Sequence, residues 1–367
     1  MEAGFVIYIV MGAAVAFGVA LAITPLVRKL SIKIGAVDVP RDGRRMHSKP
    51  VPTMGGLAIF VAFAVSMLIF VPLERTYAAM LLGALIITLT GVLDDVYGLR
   101  WWMKVLGQVG AALVVALNGI RISELANGDI QFGVWAVPVT VLWIVAITNA
   151  INLLDGLDGL ACGIMAISCV SLLIVSSFYI EPQYVYVMVI IAVLAGSCFG
   201  FLPYNLNPAK IFMGDTGAMF IGYTFSVIAI QGFFKLNALV SFGVPFLVLG
   251  LPILDTLLAI VRRALKGQHF FQPDRKHMHH KLMEWGFNQK QTVGIMYVIS
   301  AALGVAAVLF AKRYFLAFAI VLIAALGIGV VVIRLQTNKI AREKEAAEQA
   351  AGSGADQVQG EKQHEGE

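Results

Sequence analysis

The chain has 367 residues, of which 59% are hydrophobic and only 13% charged, and its mean hydropathy is +0.84. A soluble globular domain lies nearer half apolar and a quarter charged, so the composition excludes an ordinary soluble fold and describes an all-α, polytopic membrane protein. The formal net charge of +5 comes from basic residues in short loops between apolar runs, which gives no support to a nucleic-acid role.

Eleven apolar runs predict eleven transmembrane helices, at about 5–26, 53–72, 77–93, 103–118, 134–150, 160–180, 184–202, 214–233, 237–261, 291–311 and 314–334. The fourth is short and amphipathic, which makes ten the alternative count. The first run is too long for a signal-peptide core and has no basic start, so it reads as a retained span. With the N-terminus outside, 22 Lys/Arg fall in inner segments, and only Arg75, Arg121, Lys235, Lys312 and Arg313 fall outside. The positive-inside rule therefore predicts an outer N-terminus and a cytoplasmic C-terminus. Residues 1–335 read as one membrane domain without an internal repeat. Residues 336–367, charged and rich in Ala, Gln, Glu and Gly, read as a disordered cytoplasmic tail. Cys162, Cys169 and Cys198 lie in or beside apolar spans and read as small buried hydrophobes, with neither a disulfide framework nor zinc spacing.

Five polar motifs punctuate this apolar chain, and the predicted topology puts all of them on the cytoplasmic side, where an active site is expected. The first, Asp38–Gly56, is basic, stiffened by prolines and closed by a glycine pair; alone it could be only a topology signal. Asp94–Asp95 ends the third span. Adjacent carboxylates at a membrane boundary are costly without a cation or a function, and they suit a general base or Mg²⁺; a solvated pair at a helix end is the plainer alternative. Lys104 and Gln108 follow on one face of the fourth span, where a lysine can bind phosphate or simply snorkel.

Asn149–Gly163 holds two amides and two acids, Asn149, Asn152, Asp155 and Asp158, between strongly apolar spans. That is a poor surface loop and a good cradle for a ligand or metal. In Asn205–Gly217, Asp215 opens the eighth span, either capping it or holding a metal against a diphosphate. Phe212 is placed to stack on a base, or to pack as core. Asp255 follows Pro252 near an inner span end and is a candidate by the rarity of intramembrane acids, or a partner for a cation such as Arg262. Asp274–His280 carries His277, His279 and His280 beside Arg275 and Lys276. Without cysteines, and with two of the histidines adjacent, it suits phosphate better than zinc. Acids, a divalent cation and basic side chains at one membrane face point to phosphoryl chemistry. No G-x-x-x-x-G-K-[ST] loop is present for an ATP-driven pump.

Taken together, Pro52–Gly56, Asp94–Asp95, Lys104, Gln108, Asn149–Gly159, Asn205–Gly217 and Asp274–His280, in that order over essentially all of residues 1–335, resemble the polyprenyl-phosphate N-acetylhexosamine-1-phosphate transferase superfamily. His277–Met278–His279–His280 resembles the branch that uses UDP-N-acetylglucosamine, because the branch that uses UDP-muramoyl-pentapeptide typically has three consecutive histidines there. The resemblance implies undecaprenyl phosphate as acceptor, UMP as leaving product, Mg²⁺ as cofactor with Mn²⁺ as a substitute, and a bacterial plasma membrane. The product would be the first lipid-linked unit of a teichoic acid or similar glycopolymer. By the same resemblance, Asp215, Asp94 and Asp95 are the metal and catalytic acids. Lys49, Asp158 and Phe212 form the uridine pocket. Asn152, Asp155 and Asn205 line the nucleotide and diphosphate. Lys104, His279 and His280 neutralise phosphate charge, and His277 contributes to substrate binding. Ala218 stands where many relatives have Ser. A transporter would instead show broken or charged helices at mid-membrane in repeated halves. A non-enzymatic scaffold would not need the aspartates. The lipid-facing surface leaves room for a homodimer.

Overall fold

The computed structural model describes residues 3–39, 50–125, 130–179, 185–232, 238–265 and 277–325, together with 327, 329, 330 and 334. Lys49, Asp274–Lys276 and the tail 336–367 therefore lie outside the described residues.

Helices carry almost everything described: α1 (Ala3–Ile34), α2 (Gly56–Phe70), α3 (Arg75–Tyr97), α4 (Trp101–Leu117), α5 (Ala136–Leu154), α6 (Leu160–Tyr179), α7 (Val185–Asn205), α8 (Gly214–Gly232), α9 (Ala238–Val248), α10 (Gly250–Leu265), α11 (Met278–Glu284), α12 (Gln289–Ala311) and α13 (Phe315–Ala325). Two small antiparallel pairs complete it, β1 (Val37–Asp38) with β2 (Val51–Pro52), and β3 (Glu124–Leu125) with β4 (Ile130–Gln131). Each apolar run of the sequence coincides with at least one helix. Among the described residues, six helices are long and apolar enough to cross a membrane, those of 4–34, 75–97, 133–154, 160–178, 185–205 and 289–311.

The bundle is built around α7 and α8. Nearly every residue of α8 from Thr216 to Ile230 is buried, as is most of α7, because these helices are apolar around their whole circumference and have no polar face to turn outward. α1 and α6 pack along α7, and α3 and α5 pack along α8. The outer helices expose Leu26, Leu68, Leu142, Leu257 and Val298. So much exposed aliphatic surface is untenable in water and is what a lipid-facing surface requires. The chain is a multi-pass integral membrane protein. Its three cysteines are buried and unpaired.

The ninth predicted span, 237–261, is not one helix. A single turn residue, Leu249, separates α9 from α10 between Pro245 and Pro252, with its amide donating to Pro245 O at 2.9 Å and its carbonyl accepting from the Ile253 amide at 3.0 Å. Pro252 has no N–H for the Val248 carbonyl, and Ser168 Oγ of α6 donates to that oxygen at 3.1 Å instead. Pro25 in α1 raises the same problem. The Leu21 carbonyl it leaves without a helical partner accepts from Tyr204 OH at 3.2 Å. In both cases a hydroxyl from a neighbouring helix satisfies, in an apolar environment, the backbone oxygen that a proline frees.

Candidate active site

The C-terminal ends of α3, α5 and α7 meet the N-terminal ends of α8 and α12 at one end of the bundle, around a cavity of about 460 Å³. Its walls carry Asp94, Asp95, Asn152, Asp155, Asp158 and Asp215, with Asp38, Thr53, Asn205, Phe212, His280 and Gln289 also contributing.

Asp95 builds the site's frame. Its Oδ1 accepts from the Asp215 amide at 3.0 Å and from Thr53 Oγ1 at 3.3 Å. Its Oδ2 accepts from the Thr216 amide at 3.1 Å and Thr216 Oγ1 at 2.6 Å. The first free amides of α8 are thus capped by an acid from another helix rather than by Asp215 itself. This needs the backbones to come very close. A Cβ at Gly56 would stand 2.0 Å from Gly217 Cα, and Gly214 adopts φ +70 with Asp95 Oδ2 2.4 Å from its would-be Cβ. The segment after β2 runs beside Phe212. The Phe212 amide donates to Pro52 O, and the Gly55 amide donates to Phe212 O, each at 2.8 Å. Phe212 is thereby held at the cavity wall, partly buried.

Asp215 and Asp94 share a cation. Lys104 Nζ lies 2.6 Å from Asp215 Oδ2 and 3.3 Å from Asp94 Oδ2. Asn152 Nδ2 donates to Asp215 Oδ1 at 3.0 Å, and the Leu99 amide donates to Asp94 Oδ1 at 2.8 Å. Gln108, one turn beyond Lys104, is buried and exchanges hydrogen bonds with Asn149.

The loop after α5 divides its polar residues between scaffold and cavity. Asp158 accepts from Asn207 Nδ2 at 2.9 Å and from the Ala209 amide at 3.0 Å. Asn205 accepts from the Gly159 amide and donates to Ile211 O, both at 3.1 Å. Tyr297 OH donates to Gly159 O at 2.6 Å. These bonds join the two polar loops to α12. Asp155 differs: it is partly buried, and its carboxylate has no hydrogen-bond or ion-pair partner among the described residues. Burial, then the charges of Asp215, Asp95 and Asp158, push its pKa up to about 8.

The histidines separate. His280 lines the cavity, whereas His279 is buried behind it against Gly156, with its Nδ1 unpartnered. Burial, then the charge of neighbouring His280, lowers the His279 pKa to about 4, so its ring is neutral at ordinary pH. His277, expected among the substrate contacts, is turned away from the cavity, is buried and pairs with Asp255 at 2.9 Å. Asp255 thus has a cation-capable partner at the N-cap of α11.

The sequence profile of glycosyl transferase family 4 matches residues 77–233, the stretch from α3 to α8 that supplies most of this cavity. Over 293 residues the chain is 41% identical to a protein of Bacillus subtilis (strain 168) named a probable undecaprenyl-phosphate N-acetylglucosaminyl 1-phosphate transferase, covering 78% of this chain and 81% of that one. The chain belongs to glycosyl transferase family 4. A second family member, the decaprenyl-phosphate N-acetylglucosaminephosphotransferase of Mycolicibacterium smegmatis, is 36% identical over 307 residues, 75% of each chain. A third, the phospho-N-acetylmuramoyl-pentapeptide-transferase of Staphylococcus aureus (strain JH9), is 30% identical over 302 residues, 76% of this chain and 91% of that one.

In this family 4 chain, the expected Asp94, Asp95, Lys104, Asn152, Asp155, Asp158, Asn205, Phe212, Asp215 and His280 gather at or beside one cavity. His277 and His279 stand outside it. Sequence reasoning passed over Thr53 as a ligand of Asp95, and Gln289, which lines the cavity and accepts from Asn207 Nδ2 at 2.8 Å. The glycine pair beside Thr53 was a signal of close backbone approach. Gln289, at the start of an apolar helix, gave none.

Proposed function

We propose that this protein transfers GlcNAc-1-phosphate from UDP-GlcNAc to undecaprenyl phosphate, releasing UMP, at the cytoplasmic face of a bacterial plasma membrane. The observation that carries the reading is the convergence of Asp94, Asp155 and Asp215 with one bridging lysine in a cavity at the membrane-helix ends. Such a site repels a diphosphate unless cations balance it, and it is chemically suited to one that arrives with a divalent metal. The identity to the Bacillus protein and the Met278 interruption of the histidine run favour the GlcNAc donor. The polymer supplied is, on this reading, a teichoic acid or similar glycopolymer. The loop charges favour an outer N-terminus with ten or eleven spans.

The donor set fits Mg²⁺, with Mn²⁺ as a substitute. It consists of carboxylate oxygens, those of Asp155 without a partner among the described residues, and two others already holding the Lys104 ammonium. Among the described residues no three such groups converge closely enough to cage an ion alone. That agrees with a metal that completes its shell with water and substrate phosphate. Asp215 and Asp155 would hold it, with Asp94 beside them, and when bound it would draw charge from the diphosphate. Asp95, with both oxygens accepting from α8 and Thr53, acts by keeping Asp215 in place.

In the transfer, a phosphate oxygen of the lipid attacks the β-phosphorus of the donor. The bond from that phosphorus to the bridging oxygen breaks, UMP departs with the electron pair, and the sugar–oxygen bond stays intact. Lys104 and His280 balance the phosphate charge, and Asp94 orients the attacking phosphate and takes any proton it carries. Phe212 offers a face to the uracil ring. The reaction needs no covalent enzyme intermediate, since a lipid phosphate is already a competent nucleophile.

The test is lipid-dependent UMP release by the purified full chain in detergent, with Mg²⁺ and with UDP-GlcNAc, UDP-GalNAc or UDP-MurNAc-pentapeptide in parallel. Turnover with UDP-GlcNAc alone is expected. Turnover only with the muramoyl donor would assign the chain to the Staphylococcus-like branch, and no turnover from folded protein would overturn the reading. Asp215→Asn should abolish release while leaving the melting temperature nearly unchanged.

A further inference from the structure

Asp255 and His277 lie outside the cavity, close in the fold to His280, which lines it. Asp255 Oδ2 is 2.9 Å from His277 Nδ1, and Asp255 Oδ1 accepts from the Met278 amide at 2.8 Å. Both side chains are buried, at 3% and 5% exposure, so solvent does not compete for these bonds. A carboxylate has no hydrogen to give, so Nδ1 carries the proton and Nε2 plays no part in the contact. One carboxylate therefore fixes both a ring and the first amide of α11 to α10.

The rings then pass this anchoring on. His277 and His279 stack with planes 4° apart and centroids 5.9 Å apart, and His279 and His280 are 4.3 Å apart. His279 abuts Gly156, where a Cβ would come within 2.5 Å of Nε2. Gly156 directly follows Asp155, and only the third ring, His280, lines the cavity.

We infer that Asp255 and His277 are a positioning pair for the phosphoryl transfer. They clamp α11 against the Asp155–Gly159 loop so that His280 faces the diphosphate and Gly156 keeps Asp155 at the cavity wall. Neither residue touches substrate. The inference rests on the proposed transfer only for its kinetic readout.

The atom used by the bond supplies the test. Asparagine places an amide nitrogen near where Nδ1 stood, and glutamine places one near Nε2. His277→Asn, His277→Gln, Asp255→Ala and the Asp255→Ala/His277→Gln double variant would be compared with the full-length wild type. Three readouts apply: UMP-release kinetics, melting temperature, and site-resolved modification of His279 by diethyl pyrocarbonate. His277→Asn should keep most of the wild-type rate. His277→Gln and Asp255→Ala should each lose about 10- to 100-fold in kcat with little change in donor KM, as expected when a reacting geometry is loosened. The double variant should be no worse than either single. His279 should be slow to react in wild type and His277→Asn, and fast in the others.

A better rate in His277→Gln than in His277→Asn would mean that Nε2 contacts substrate and would overturn the inference. So would equal behaviour of the two, or a loss seen only in melting temperature. If Asp255→Ala fails to fold, the two His277 variants still decide. If the wild type releases no UMP, the proposed function fails, and the His279 modification pattern still decides the positioning claim.

Discussion

Asp95 and Asp155 line the same cavity and do opposite work. The Asp95 oxygens hold the first turn of α8, whereas Asp155 has no partner among the described residues. Asp95→Asn keeps one acceptor and loses the other, so it should lower stability by about 1–2 kcal/mol and reduce activity indirectly, through a displaced Asp215. A denaturant titration beside the kinetics checks both. Asp155, with its pKa pushed from 3.8 to about 8, binds a proton in the fold that the unfolded chain releases. Its contribution to stability is complete below pH 3.8 and is lost as pH rises through about 8. In EDTA, the wild-type melting temperature should fall between pH 5.5 and 8.5, and Asp155→Asn should flatten that slope while abolishing turnover. An unchanged slope would mean that Asp155 is better solvated than its surroundings imply. His279 has the opposite sign. Its pKa falls from 6.5 to about 4, so its contribution is present above pH 6.5 and is lost as pH falls towards 4. The stability gap between wild type and His279→Asn should accordingly narrow from pH 7 to pH 5.

At the scale of elements, the site depends on helices packed backbone to backbone. A Cβ on Gly91 would stand 2.4 Å from Thr216 Cα, and that neighbour is main chain, with no rotamer to yield. Gly91→Ala should therefore push α3 from α8, cost about 1–3 kcal/mol, and separate Asp95 from the amides it caps. Melting and UMP release should fall together. The junction between α9 and α10 has a comparable logic. Ser168 meets the carbonyl that Pro252 leaves unpaired, and α10 then carries Asp255 to His277. Ser168→Ala should cost about 1 kcal/mol or less, since hydrogen bonds between membrane helices are worth little more. An unfolding titration in detergent measures that difference.

For the whole molecule, loop charge and site position make one joint prediction. The native cysteines are fully buried, which leaves a silent background for labelling. In intact cells, an impermeant maleimide should label Asn127→Cys and not Ser48→Cys. The reverse pattern would put the polar loops outside and remove the cavity from a cytoplasmic donor. The same arrangement shows how much was legible in advance. The apolar helices follow from runs of apolar residues, since every such run must hide its backbone polar groups in a helix. The site's membership follows from acids and amides too costly to keep at a membrane boundary without use. The division of the ninth span into α9 and α10 was not legible, because Pro245 and Pro252 are each compatible with a continuous helix until a neighbour is known to donate to the freed carbonyl.

By itself, the sequence determined the class of the protein, the placement of its helices and the list of polar residues that gather at one end. Each of these is a local property of hydropathy, charge and spacing. Only the tertiary structure decided what each residue does there. Asp94 and Asp95 are neighbours in the chain, yet one faces Lys104 and the other caps a helix 120 positions away. His277, His279 and His280 share one short helix end, yet one is pinned to Asp255, one is buried against Gly156 and one lines the cavity. The physical reason is that an oxygen's or a ring's role is set by the donors, acceptors and solvent around it. In a bundle those are supplied by other helices, at separations over which composition and periodicity carry no information.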